Sequence, residues 1–318
     1  MSFEMSEEKL YQAIWDRCTL VLTDEDRTKL KAATVSINGL GGIGGIIVEE
    51  LVRSGIGHLK LSDPDVFEPT NMGRQLYATT KTLGRNKAEV ARERVLEINP
   101  YCRVEAYTKG VQKENVFEIL QGVDVLVDEV DVLSRRIIMH RAAREMRIPL
   151  VHGCRAGFPG DRWTIQVWVW NYRDYPETES REEEYKLWTC GLTWDELTED
   201  VLNRVDQERA SAMKQKIRAE IIKGNASSFG NVPQEYLSSK LNGDIKEPFQ
   251  DNLFHKKAIF VQIPNTVGIL ISLEVVKIIL GWETTTYKLD LLKGKLYDVS
   301  DELTRYQVAS GSERPRNT

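Results

Sequence analysis

The amino-acid sequence predicts an α/β fold: a doubly wound, mainly parallel sheet continued by antiparallel strands, with a helical and loop-rich insertion. Three observations predict it. Short β-rich runs alternate with amphipathic helical stretches between Ala33 and Cys154, the pattern of βαβ units around a parallel sheet. "RWTIQVWVW" then alternates apolar and polar residues, as an antiparallel continuation does. From about Asn171 the composition becomes charged and poor in apolar residues.

The elements follow in order. Residues 7–33 read as helical, with Leu10, Ile14 and Leu30 among charged residues. "ATVSINGLGGIGGIIVEELVRSGI" is a strand, a glycine turn and an amphipathic helix; "HLKLSDPD" is the second strand. "KAEVARERVLEI" is a helix closed by Asn99-Pro100. "RVEAYTKG" reads as a strand, "NVFEILQG" as a helix, and "VDVLVDEVD" as a buried strand ending in acids. "SRRIIMHRAAREMR" is a helix and "IPLVHGC" the next strand. "YRDYPETESREEEYKLW" reads as a surface loop, and Thr193 and Glu196 have capping-box spacing ahead of Leu197, Val201 and Val205. Met213, Ile217 and Ile221 continue a helical stripe suited to packing on the core. "AIFVQI" is expected as a strand, "NTVGILISLEVVKIILGW" as a long helix, and "YKLDLL" and "KLYDV" as a closing pair. The predicted organisation is a discontinuous core, 1–170 and 256–300, an insertion at 171–255, and a disordered tail at 301–318.

Composition narrows the function classes. The chain has 318 residues, 41% hydrophobic and 29% charged, with a net charge of -5 and no basic block. Nucleic acid is therefore not an expected partner. No signal-peptide run and no stretch of about 20 apolar residues is apparent, so a cytoplasmic protein with no membrane partner is expected. Cys18, Cys102, Cys154 and Cys190 are widely spaced; without a C-x-x-C pair, free thiols and no zinc are expected.

Gly39, Gly41 and Gly44 form G-x-G-x-x-G between a strand and a helix, the phosphate-binding turn of a Rossmann-like fold. Asp63 follows at the end of the next strand, where it suits ribose hydroxyls. An NAD oxidoreductase is the default for those features. Arg74, Lys87 at the opening of the next helix, and Asp131 at the end of a later strand argue against it. A phosphate that is attacked needs cations that follow its charge to the leaving group, and an acid that can hold Mg²⁺.

Five motifs in order, "NGLGGIGG", "LSDPDVFEPTNMGRQ", "LGRNKAEVARERVLEINP", "VLVDEVDVLSRR" and "IPLVHG", resemble the ThiF/MoeB/HesA superfamily, the adenylylating domain of ubiquitin-activating enzymes. The resemblance covers roughly residues 10–170 and resumes at 256–300. It implies that Gly39, Gly41, Gly42 and Gly44 cradle ATP phosphates, that Asp63 binds ribose, and that Asn71, Arg74 and Gln75 line the phosphates. It implies Arg74 and Lys87 on the transferring charge, Asp131 on Mg²⁺, and Arg17 reaching the partner subunit's site in a homodimer. The implied reaction is attack of a carboxylate on the α-phosphorus of MgATP.

The chain departs from that resemblance in places. The two C-x-x-C pairs of many members are missing, Gly73 stands where a polar residue is usual, and Val132 replaces an asparagine, while Arg136 keeps a later arginine. Cys190, in "KLWTCGLTW", lies where some members carry a thioester-forming cysteine, but no neighbour in sequence lowers its pKa, and a structural thiol is the favoured reading. The expected partner is a small ubiquitin-like or sulfur-carrier protein, or a ribosomal precursor peptide. An inactive partner subunit and a tRNA-modifying relative are the weaker alternatives.

Overall fold

The computed structural model describes residues 5–155, 164–178, 183, 187, 189–222, 261–290 and 295–298. Its eight-stranded sheet has the order β3-β2-β1-β4-β5-β6-β7-β8. The strands are β1 (Thr34–Asn38), β2 (His58–Ser62), β3 (Arg103–Tyr107), β4 (Val125–Asp128), β5 (Leu150–Arg155), β6 (Thr164–Trp170), β7 (Tyr287–Asp290) and β8 (Lys295–Asp298). β1 to β5 run parallel, and β6, β7 and β8 continue the sheet antiparallel. The predicted fold class is observed.

The chain winds outward from β1 through β2 to β3, then returns to the other side of β1 for β4 and β5. That reversal makes the carboxyl end of β1 a switch point, where open α/β sheets bind ligands. The register brings Asn38 of β1 level with Ser62 of β2 and Asp128 of β4. The loops that leave those three residues therefore share one edge.

Both faces are covered because alternate strand residues serve opposite cores. Val35, Ile37, Val125 and Val127 are buried with α3 (Gly44–Arg53), α4 (Lys87–Ile98) and α8 (Gln262–Leu280). Leu126, on the reverse face, is buried with α5 (Val116–Leu120), α6 (Leu133–Glu145) and α7 (Glu199–Ile222). Each large side chain buried this completely stabilises the fold by about 1.5–3 kcal/mol. α8 approaches so closely that a Cβ on Gly153 would stand 2.6 Å from Val267. Among the described residues α8 is the one helix long and apolar enough to cross a membrane, contrary to the expectation of no such stretch; half of it is buried inside the protein.

Several expectations need correction. Residues 7–33 form two helices, α1 (Glu7–Trp15) and α2 (Asp24–Ala32), because Thr23 and Asp26 make a reciprocal cap that starts a second one. The expected strand at "AIFVQI" runs into α8, which already begins at Gln262; Pro264 fits a first helical turn. Residues 258–260 of that expected strand lie outside the described residues, as do the side chains of Met213, Ile217 and Ile221 and the tail 301–318. The cap of Thr193 and Glu196 forms, at 2.7 Å, but α7 starts only at Glu199. Tyr172 is fully buried despite its charged surroundings, with its hydroxyl 2.8 Å from His140 Nδ1.

Candidate active site

The glycine loop joins β1 to α3. Gly39 has φ of 90°, and a Cβ there would lie 2.5 Å from Glu129 O. A Cβ on Gly44 would lie 1.9 Å from Gly39 O, so only glycine lets α3 start this tightly against β1. Ile43, the N-cap, gives the first turn of α3 no side-chain acceptor. Amides at such a helix start favour an anion.

Asp63 leaves β2 directly behind this loop and is 5% exposed. Its Oδ2 accepts from Leu40 N at 2.7 Å and its Oδ1 from Asp65 N at 2.9 Å. Burial pushes its pKa up, against the opposing pull of Lys87 and those two amides. Asp63 thus pins the glycine loop as well as facing it.

Lys87 opens α4, whose N-cap Asn86 accepts from Ala88 N at 2.9 Å. Asn86 Nδ2 also donates to the carbonyls of Asp63 and Asp65, at 3.1 and 3.2 Å, which ties α4 to the end of β2. Lys87 Nζ, buried, lies 2.8 Å from Asp65 Oδ2 and 4.0 Å from Asp63 Oδ1. Asp65, the second acid of "SDPD", and Asn86 are site residues to which the sequence alone assigns no role.

The loop after β2 brings Arg74 and Gln75 back to the glycines. Arg74 O would be 3.4 Å, and Pro264 3.3 Å, from a Cβ on Gly42; Gln75 Nε2 would be 3.7 Å from one on Gly41. Gln75 is buried, and its Oε1 has no partner among the described residues; the same holds for Asn265 Oδ1, next to Pro264. A buried polar atom without a partner costs stability unless a ligand completes it. Such an oxygen takes a donor, a hydroxyl or an amino group, whereas Lys87 and the uncapped amides of α3 favour negative charge, so the residues present fit an anionic ligand that also carries donors. Arg74 is partly exposed, with Nη1 donating to Thr70 O at 2.8 Å. Asn71 is buried and shapes its own turn: its Oδ1 accepts from Glu68 N at 3.1 Å.

Asp131 does not end a strand. β4 stops at Asp128, whose Oδ1 accepts from Val130 N at 3.2 Å and turns the chain. Asp131 is exposed on that turn, two residues after Glu129, whose carbonyl lies against Gly39. Arg136 Nε donates to Val130 O, and Arg136 Nη1 to His152 Nε2 at 2.8 Å. Because arginine only donates, His152 carries its proton on Nδ1, beside Asp128 O.

Two candidates lie elsewhere. Arg17 is 97% exposed, with Asp16 at 3.9 Å. Its helix is fixed by Trp15 Nε1 donating to Ser54 O at 2.9 Å, at the end of α3 opposite the glycine loop. Cys190 is an exposed thiol on a turn against the middle of α6. Arg141 donates to the carbonyls on either side of it, Thr189 O and Leu192 O, both at 2.6 Å. The sequence does not show that a guanidinium from α6 anchors the turn that carries Cys190; the fold does.

The ThiF family profile matches residues 16–313. A sulfur carrier protein adenylyltransferase of Thermus thermophilus is 38% identical over 136 residues, 43% of this chain and 50% of that protein. The adenylyltransferase and sulfurtransferase MOCS3 of Drosophila yakuba is 34% identical over 160 residues, 49% of this chain and 34% of that protein. The chain spans about half the length, or less, of such curated relatives. The solved structure of PaaA superposes with a TM-score of 0.57 at 18% identity, covering 94% of this chain and 75% of that one. E. coli MccB with succinimide gives 0.55 at 19% identity, covering 90% and 70%. At those identities the two structures speak for the fold.

Proposed function

The chain belongs to the ThiF family, and on that premise we propose that it activates a carboxylate with ATP, giving an acyl-adenylate and pyrophosphate. The observation that carries this reading is the meeting of Lys87 and Asp63 behind a glycine loop beside which Gln75 keeps a buried oxygen without a partner among the described residues. In this reading Gly39, Gly41, Gly42 and Gly44 let phosphates approach the backbone, and Asp63 accepts from the ribose hydroxyls. Arg74 leaves Thr70 O to meet the phosphates, and Lys87 faces the charge that moves to the leaving group. Asp131, exposed on its turn, would hold Mg²⁺ together with the phosphates, and the ion would supply positive charge against the departing pyrophosphate.

The substrate carboxylate is ionised near neutral pH, so the chain needs no general base. Its oxygen bonds to the α-phosphorus, the bond from that phosphorus to the bridging oxygen breaks, and pyrophosphate departs with the electron pair. The residues act by position and charge.

The favoured substrate is the C-terminus of a small ubiquitin-like or sulfur-carrier protein, supported by the relatives' names. A precursor peptide is the second reading. The helical insertion at 171–255 supports it, since its α7 packs beside the Asp131 turn, where a substrate tail would arrive.

The test is exchange of labelled pyrophosphate into ATP, with a Gly-Gly-ending carrier protein or a short peptide supplied. Exchange that depends on a supplied carboxylate is expected. Affinity for NAD with none for MgATP overturns the reading.

A further inference from the structure

α6 begins without a cap of its own. Its N-cap, Val132, has no polar side chain, yet the first N–H groups of a helix need acceptors. Asp206, from α7, supplies one: Oδ1 accepts from Ser134 N at 3.0 Å, and Oδ2 accepts from Ser134 Oγ at 2.6 Å. Three residues further on the same helix, Arg209 Nη1 donates to the carbonyl of Asp131 at 3.1 Å. At the start of α7, Glu199 pairs with Arg135 at 3.0 Å. Leu202 and Val205 bury the helix against the α6 side of the core.

The Asp131 turn is therefore held from two directions. Asn38 O accepts from Glu129 N at 2.8 Å, and Arg136 grips Val130 O, both from the core. Asp131 O and Ser134 are gripped from the insertion. We propose that Asp206 and Arg209 are positioning residues which hold the Asp131 turn from the insertion side, so that α7 sets where the Asp131 carboxylate stands. The inference takes its catalytic consequence from the adenylylation reading above. A Mg²⁺ ligand must be placed closely, because the ion demands near-octahedral geometry. An insertion that receives the acyl substrate then acts directly on the acid that holds the metal.

The test uses the full chain and two measurements. The first is hydrogen exchange of residues 129–135 without nucleotide. The second is Mn²⁺ binding in the presence of ATP, followed by electron paramagnetic resonance. Arg209→Ala and Asp206→Ala are expected to speed exchange at 129–135 about tenfold while leaving β1 and β2 unchanged. They are expected to weaken Mn²⁺ binding with ATP by about tenfold, the scale of losing an outer-shell partner. Asp206→Asn keeps an acceptor for Ser134 N, and Arg209→Lys keeps a donor; both should recover most of the loss. If Asp206→Ala also loosens β1, the Arg209→Ala and Asp206→Asn pair carries the comparison.

Unchanged exchange at 129–135 in Arg209→Ala overturns the positioning role. Faster exchange with unchanged Mn²⁺ binding overturns the link to the metal-side acid. A wild-type protein that binds no Mn²⁺ with ATP, yet shows the exchange differences, overturns the adenylylation reading and leaves the helix contact standing.

Discussion

Lys87 Nζ stands 2.8 Å from Asp65 Oδ2 and 4.0 Å from Asp63 Oδ1, so the buried lysine is held chiefly by the outer, more exposed acid. Asp65 is 67% exposed at its side chain, whereas Asp63 is 6% exposed there. A cation held between a deep acid and a shallow one stays beside the glycine loop and can exchange its outer partner for a phosphate.

Lys87→Ala should therefore lower pyrophosphate exchange by about 10²–10³, the cost of one lost donor to developing charge. Asp65→Asn should cost far less, because Asp65 holds the lysine without carrying the charge that phosphates need. Steady-state exchange rates of the two variants at saturating ATP check the order. An equal loss in both would make Asp65 part of the reacting site.

Asp63 makes a prediction about pH. Its carboxyl has a pKa raised by burial above the ordinary carboxylate range. The folded state then holds a proton that the unfolded chain releases at lower pH, so stability falls as pH rises through that window and levels off above it. The stability of wild type minus that of Asp63→Asn should decline from the ordinary carboxylate range upward to the raised value, then stay flat. Urea denaturation at stepped pH measures it; a difference that grows with pH would show that Lys87 and the amides outweigh burial.

Much of this was legible in the sequence, and the failures have physical causes. Periodicity places β1 to β4 and α3 to α6, because their faces repeat with the period of their geometry. The glycine loop and the order Asp63, Arg74, Lys87 follow from motif and spacing. The end of β4 is not legible: "VDVLVDEVD" reads as one apolar run, but the side chain of Asp128 turns the chain three residues before Asp131. The start of α8 is ambiguous in sequence because Pro264 punctuates a strand as readily as it opens a helix. The pairing of Arg136 with His152, of Asp206 with Ser134 and of Arg141 with the carbonyls around Cys190 joins residues 16 to 72 positions apart. Such contacts have no local period to betray them.

Gly44 and Gly41 separate a fold requirement from a ligand requirement. A Cβ on Gly44 meets Gly39 O at 1.9 Å, so Gly44→Ala must shift backbone and should cost roughly 1–3 kcal/mol of stability along with ATP binding. A Cβ on Gly41 meets only Gln75 Nε2, at 3.7 Å among the described residues. Gly41→Ala should therefore stay within about 0.5 kcal/mol of wild type yet lose ATP affinity. Denaturation curves and ATP titrations of both variants check this. Normal ATP binding by Gly41→Ala would move the phosphates away from the loop.

Cys190→Ala should leave adenylylation intact, because attack on phosphorus involves no thiol. Arg141 fixes the turn that carries the exposed thiol, so the complete reaction is the informative measurement. Loss of a covalent enzyme–substrate adduct that is sensitive to reducing agent would make Cys190 the acyl acceptor; an unchanged complete reaction would make it a surface thiol.

Arg17 lies far from the glycine loop of its own chain. Trp15 holds the short helical turn that carries Arg17 against Ser54 and Gly55, at the last turn of α3. The glycine loop is at the first turn, and ten helical residues span about 15 Å. A guanidinium at one end of α3 does not reach phosphates at the other, so a role for Arg17 in transfer requires a second copy. A two-fold dimer would make the exchange reciprocal. Mixing Arg17→Ala subunits with Lys87→Ala subunits, each nearly inactive alone, tests it. In a mixed dimer one site then has Lys87 from one subunit and Arg17 from the other, and activity should return to about half that of wild type per heterodimer. The expected recovery needs both cations at one site and nothing else, because each parent lacks one of them at every site. Confirmed subunit exchange without recovery would remove Arg17 from the reaction and return it to the surface of its own chain.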